Sequence, residues 1–222
     1  MPYGEKSKEQ LIEYSSKAFK FFEKQNVKAV IMACNTTSAI VYEELKDKYN
    51  FKLYPLIQSV SKIFAQLPIT CIGVFATPAT IKSHAYSKWI NHYNPNIKVI
   101  EIDCPEWVKF VENNEINTER TTASVTDKMA EMQKFNPQKI ILGCTHYPYL
   151  ADQLSKHAKA EIFINPAKAY AEYIKADLSA LNLLKQTDQK GCDKFFVSLS
   201  PDKFTEAGKR FYNVTEATQI DL

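Results

Sequence analysis

Twice in this chain a short apolar run of strand length ends in a cysteine, passes through polar residues and continues as a helical pattern. The first copy is Val30-Ile31-Met32-Ala33-Cys34, followed by Asn35-Thr36-Thr37-Ser38 and a helix expected from Ala39 to Tyr49. The second is Ile140-Ile141-Leu142-Gly143-Cys144, followed by Thr145-His146-Tyr147-Pro148 and a helix expected to reach His157. A continuously apolar strand that feeds a polar-capped helix is the βα unit of a parallel sheet. The copies lie half a chain apart, which predicts two similar lobes. Ligands of open α/β sheets bind outside the carboxyl ends of the strands, where both cysteines fall.

The same alternation runs through the rest of the chain. Ser7-Lys8-Glu9-Gln10 reads as a capping box opening a helix to Lys24, with Leu11, Tyr14, Ala18 and Phe22 on one apolar face. A strand at 70–75 leads into Thr77-Pro78-Ala79-Thr80 and a helix through Trp89; further strands are expected at 97–102, 161–164 and 194–199. The polar stretch 113–137 reads as a helix with loops. Strands alternating with helices predict an α/β protein with mainly parallel sheets. The first lobe is expected to take 1–67 plus 166–222, and the second 68–165.

Composition removes several function classes. Only 5 glycines occur in 222 residues, so neither a G-x-G-x-x-G nor a G-x-x-x-x-G-K-[ST] phosphate loop can be written. The net charge of +3 comes from scattered basic residues, which argues against a nucleic-acid partner. No apolar run approaches the roughly 18 residues of a membrane helix. The 5 cysteines include no C-x-x-C pair, and the first residues lack a signal-peptide core, so a reducing cytoplasm with free thiols is expected.

A thiol at a helix start is expected to be reactive, because exposed N–H groups and the helix dipole favour the thiolate. Asn35, Thr36, Thr145 and His146 could donate hydrogen bonds to a bound carboxylate at the same two helix starts. Acid/base groups on opposite faces of a small anion suit inversion of a carbon centre: one removes the α-proton while the other delivers a proton from behind. A zinc set of Cys34, Cys144 and His146 is the alternative, but it lacks a fourth ligand and the usual finger spacing. No pyridoxal lysine signature is apparent. Cys71, Cys104 and Cys192 read as small core residues, and His84, His92 and His157 as surface or core.

Ala33-Cys34-Asn35-Thr36-Thr37-Ser38-Ala39 resembles the first cysteine motif of the cofactor-independent glutamate racemases, in the aspartate/glutamate racemase family. Leu142-Gly143-Cys144-Thr145-His146-Tyr147-Pro148 resembles their second. Pro2-Tyr3-Gly4-Glu5-Lys6-Ser7 is similar to their substrate-contacting segment and Ala76-Thr77-Pro78-Ala79-Thr80 to a Thr-x-Ala-Thr turn, so the likeness runs from Pro2 to about Phe211. It implies two Rossmann-like lobes enclosing a glutamate in the cleft between them, with Cys34 and Cys144 as paired proton acceptor and donor and no cofactor. It further implies that Tyr3, Gly4, Asn35, Thr36, Thr145 and His146 hold the substrate and that Thr77 and Thr80 line the cleft. His146 would also assist Cys144, with Glu112 as an auxiliary acid. D-glutamate for peptidoglycan and a bacterial cytoplasm follow from the same likeness; a homodimer is expected beside them, although the sequence does not specify the oligomeric state.

Two departures from the family pattern carry expectations. Gln58-Ser59 stands where many relatives have Glu-Pro, a change expected to touch packing. Met1 directly precedes Pro2, where relatives carry a βαβ unit of roughly 30 residues with an Asp-Ser-Gly turn. An uncovered sheet edge and a Cys34 without an acidic helper are therefore expected. The alternatives are a racemase of aspartate or a related amino acid, or an inactive truncated scaffold.

Overall fold

The computed structural model describes residues 3–187 and 191–221, and contacts divide the chain into two units, Met1–Leu183 and Leu184–Leu222. In the first unit α1 (Lys8–Lys24) starts on the expected capping box: Gln10 N donates to Ser7 Oγ at 3.2 Å and Ser7 N donates to Gln10 Oε1 at 3.1 Å. β1 (Ala29–Met32) leads into α2 (Asn35–Leu45), and β2 (Lys52–Pro55) into α3 (Leu56–Phe64). Then come β3 (Cys71–Ala76), α4 (Pro78–Lys82), α5 (Ala85–Tyr93), β4 (Lys98–Asp103), α6 (Trp107–Glu112), α7 (Glu119–Gln133) and β5 (Lys139–Gly143). α8 (Ala151–Ser155), β6 (Phe163–Ile164) and α9 (Ala167–Ala180) close the unit. β1 and β2 form one parallel pair, and β4-β3-β5-β6 form a four-stranded parallel sheet.

The second unit holds β7 (Phe196–Val197), α10 (Pro201–Gly208) and β8 (Thr218–Gln219), with β7 and β8 paired in parallel. β7 is all that forms of the strand expected at 194–199. A unit this small buries little, and Cys192 is exposed rather than core.

Some element boundaries differ from the sequence reading, each for a local reason. α2 begins at Asn35 instead of Ala39, because Asn35, Thr36, Thr37 and Ser38 are buried with their polar groups bonded; Thr37 Oγ1, for example, donates to the Cys34 carbonyl at 3.0 Å. The helix expected from Pro78 through Trp89 breaks at His84, whose φ of 51° is left-handed. Glu101 holds the break by accepting from Ser87 N at 3.3 Å and lying 2.9 Å from His84 Nδ1. After Cys144 a short 3-10 turn, Tyr147–Leu150, precedes α8 in place of one long helix.

The core explains how the two sheets keep a fixed relation. Leu11, Phe19, Val30, Met32, Val41 and Leu45 pack the first sheet against α1 and α2, while Phe75, Trp107, Val125, Met129 and Ile140 fill one face of the second. A third cluster spans both sheets: Tyr54, Ile57, Val60 and Phe64 meet Ile72, Val74, Ile90, Ile141 and Ile174. α3 is central to it, and its buried Leu56, Ile57, Val60 and Phe64 contribute roughly 1.5–3 kcal/mol each. Among the described residues β1 pairs with β2 alone, and Ile31 on β1 is 51% exposed.

Candidate active site

Cys34 follows β1 at the N-cap position of α2, and Cys144 follows β5, so parallel strands deliver both thiols beyond their carboxyl ends. They line one cavity of about 230 Å³, together with Tyr3, Gly4, Asn35, Thr36, Thr77, Val108, Glu112, Thr145 and His146. That volume is below the roughly 300 Å³ at which sites for drug-sized ligands begin, and it suits a small metabolite. Among the described residues no lysine or arginine lines it, so an anion there meets neutral donors: an amide, hydroxyls and the N-terminal N–H groups of α2.

Thr80 stands apart from the other expected site residues. It is 1% exposed and does not line the cavity; its hydroxyl lies behind Thr77, at 3.0 Å, and 3.2 Å from that of Thr36. Thr36 and Thr77 close the triangle at 2.9 Å, joining the first turns of α2 and α4. Gly4 packs on this cluster, since a Cβ there would come within 2.8 Å of Thr77 Cβ. Gln58 works in packing, as expected: Ser38 Oγ donates to its Oε1 at 2.9 Å and its Nε2 donates to the Ser38 carbonyl at 3.1 Å.

Around Cys144 the side chains form a line. His146 Nδ1 lies 3.7 Å from Cys144 Sγ, and His146 Nε2 lies 3.3 Å from Glu112 Oε1. Glu112 reaches the site because α6 places it one turn beyond Val108. Sequence reading missed Val108 as a lining residue, although the four-residue spacing to Glu112 was a usable signal. Burial pushes the Cys144 thiol up to about 12, outweighing the backbone N–H groups of His146 and Tyr147, which favour the thiolate. The expectation that a helix start lowers this thiol therefore fails: a 3-10 turn follows Cys144 and desolvation dominates. Burial first, then the charge of Cys34, raise the phenol of Tyr3.

The remaining cysteines separate by environment. Cys104 is core, whereas Cys71 is only partly buried, with Sγ 3.6 Å from the Phe135 carbonyl. Among the described residues no group of three or more His, Cys, Asp and Glu side chains is placed to hold a metal, so Cys34, Cys144 and His146 do not assemble as a zinc set. No helix among them is long and apolar enough to cross a membrane.

Two thiols sharing one small cavity with hydroxyl, amide and imidazole groups on a parallel α/β frame are the equipment of an amino-acid racemase. The chain belongs to the Asp/Glu/hydantoin racemase family, whose sequence model matches residues 4–174. A glutamate racemase of Lactobacillus helveticus is 34% identical over 225 residues, covering 100% of this chain and 84% of the relative. The crystal structure of glutamate racemase from Francisella tularensis in complex with D-glutamate superposes with a TM-score of 0.91 at 29% identity, covering 100% of this chain and 84% of that one. Glutamate racemase isoform RacE1 from Bacillus anthracis gives 0.92 at 26% identity, with the same coverage.

Proposed function

We propose that this chain interconverts L- and D-glutamate with Cys34 and Cys144 as its two bases. The observation that carries the reading is that both thiols line one small cavity rich in hydrogen-bond donors. The thiolate of one cysteine takes the α-proton as the C–H bond breaks, and the electron pair left on Cα spreads into the α-carboxylate. The thiol of the other gives its proton to the opposite face, so an S–H bond breaks as the new C–H bond forms. The cysteines thereby exchange protonation states.

His146 Nδ1 accepts the Cys144 proton to form the thiolate, and Glu112 orients the ring through Nε2. Tyr3, Gly4, Asn35, Thr36, Thr145 and His146 hold the substrate, with Thr77 lining the cavity; fixed donors stabilise the developing carbanion without reorganisation. Glutamate is favoured over aspartate as the substrate because relatives matching the whole of this chain are glutamate racemases. The second lobe, 68–165, holds the four-stranded sheet. The product supplies peptidoglycan synthesis in a bacterial cytoplasm, and the chain assembles as a homodimer, which sedimentation velocity tests.

Incubation with L-glutamate in deuterated water should yield D-glutamate carrying deuterium at Cα. Cys34→Ser and Cys144→Ser should each abolish the conversion in both directions. Faster turnover of aspartate would transfer the assignment to that substrate. A folded, reduced protein that exchanges no α-proton, yet is stabilised against heat by D-glutamate, would instead be a binding remnant of the scaffold.

A further inference from the structure

We propose that Tyr86 is a positioning residue: it turns the Asn35 amide so that its amino group faces the substrate, and it braces the two cysteine loops against each other. The proposal rests on the glutamate racemase reading above. Tyr86 belongs to α5, outside both cysteine motifs, and is fully buried. Its phenol donates to Asn35 Oδ1 at 2.7 Å. Its ring packs at the other loop, where a Cβ on Gly143 would lie 3.0 Å from Tyr86 Cε2. One side chain therefore touches the neighbour of each catalytic cysteine.

The amide orientation matters because Asn35 stands between two spaces. It lines the catalytic cavity and also an adjoining one of about 200 Å³ beside Leu56, Leu142 and Pro148. A free amide could turn either end toward the substrate. With the phenol donating, Oδ1 is occupied and the amino group is left open to the cavity; no buried side-chain nitrogen or oxygen among the described residues lacks a partner. The flipped amide would donate to the phenol oxygen and leave the buried phenol proton without its Asn35 acceptor, which disfavours it by roughly ten-fold or more. A carboxylate then always meets N–H rather than C=O.

The test is a cycle of Tyr86→Phe, Asn35→Ala and the double variant, read as KM and kcat for both glutamate enantiomers. Phe keeps the ring and removes only the hydroxyl. KM should rise about ten-fold in Y86F with kcat within about three-fold, and the double variant should match N35A. Tyr86→Leu, which removes the ring and its brace, should lower kcat as well. An unchanged KM in Y86F, or effects of Y86F and N35A that multiply in the double variant, would overturn the proposal, since a merely structural tyrosine lowers thermal stability without moving KM. Should Y86F fail to fold, the double variant leaves no polar partner buried alone, and its comparison with N35A decides. A wild type that exchanges no Cα proton overturns the racemase reading; a wild type that turns over beside a Y86F with unmoved KM overturns this proposal alone.

Discussion

Alkylation of Cys144 should be about a thousand-fold slower at pH 8 than that of a free thiol, because only the thiolate attacks. Burial lifts this thiol from the ordinary 9.0 to about 12. At pH 8 the thiolate fraction is then on the order of one in ten thousand, against about one in ten for the free thiol, a difference of roughly 4 kcal/mol. The assay is iodoacetamide labelling from pH 7 to 10.5 without substrate, with the Cys144 peptide quantified by mass spectrometry and glutathione as reference. Restricted access slows labelling equally at every pH, so the shape of the profile isolates ionisation. The logarithm of the rate should climb with unit slope through pH 10.5. Because a thiolate at Cys34 raises the Cys144 thiol further, C34S should shift the profile to lower pH. A plateau at or below pH 9 would show that burial does not control this thiol, and that the resting site already holds a thiolate.

Alkaline stability follows from the same burial. Cys144, Cys104, Tyr86 and Tyr147 are all raised by desolvation, so the folded chain keeps protons that the unfolded chain loses. Their contribution is complete below about pH 9 and is lost as the pH rises toward 12; urea midpoints should fall over that window, and less steeply in C144S. Gly143→Ala should cost about 1–3 kcal/mol in urea unfolding, since its Cβ would lie 2.9 Å from the Phe75 carbonyl oxygen and push β5 from β3. Gly73→Ala should cost less, because the atom met at 2.5 Å is the mobile Met132 sulfur. Thr80→Val should destabilise by about 1 kcal/mol and raise KM for glutamate, since it breaks the hydroxyl triangle that holds Thr36 and Thr77; an unchanged KM would detach the triangle from substrate binding.

Local pattern carried much of the fold. The capping box at Ser7 and Gln10 works because cap and partner are close in the chain; the apolar run before Cys144 forms a strand buried on both faces, whereas the run before Cys34 forms a strand that buries Val30 and Met32 and leaves Ile31 exposed. α3 escaped the reading although Leu56, Ile57, Val60 and Phe64 have helical spacing, since a short segment directly after a strand offers no cap to mark its start. The His84 break was illegible because Glu101, from a separate strand, holds it. Thr80 reads like Thr77 in the motif, yet the turn of α4 puts one on the cavity and the other behind it.

Residue order thus specified two strand-end cysteines, the polar residues beside them and a parallel α/β frame, since these depend on spacing along the chain. Whether the cysteines meet depends on burial between distant segments: α3, α5 and α9 pack into a shared core that fixes one sheet against the other. The same long-range packing desolvates Cys144, sets His146 between that thiol and Glu112, and brings Tyr86 to Asn35. Periodicity encodes which face of an element is buried, but not which other element covers it, and at this site the covering elements set the ionisation and orientation of the reacting groups.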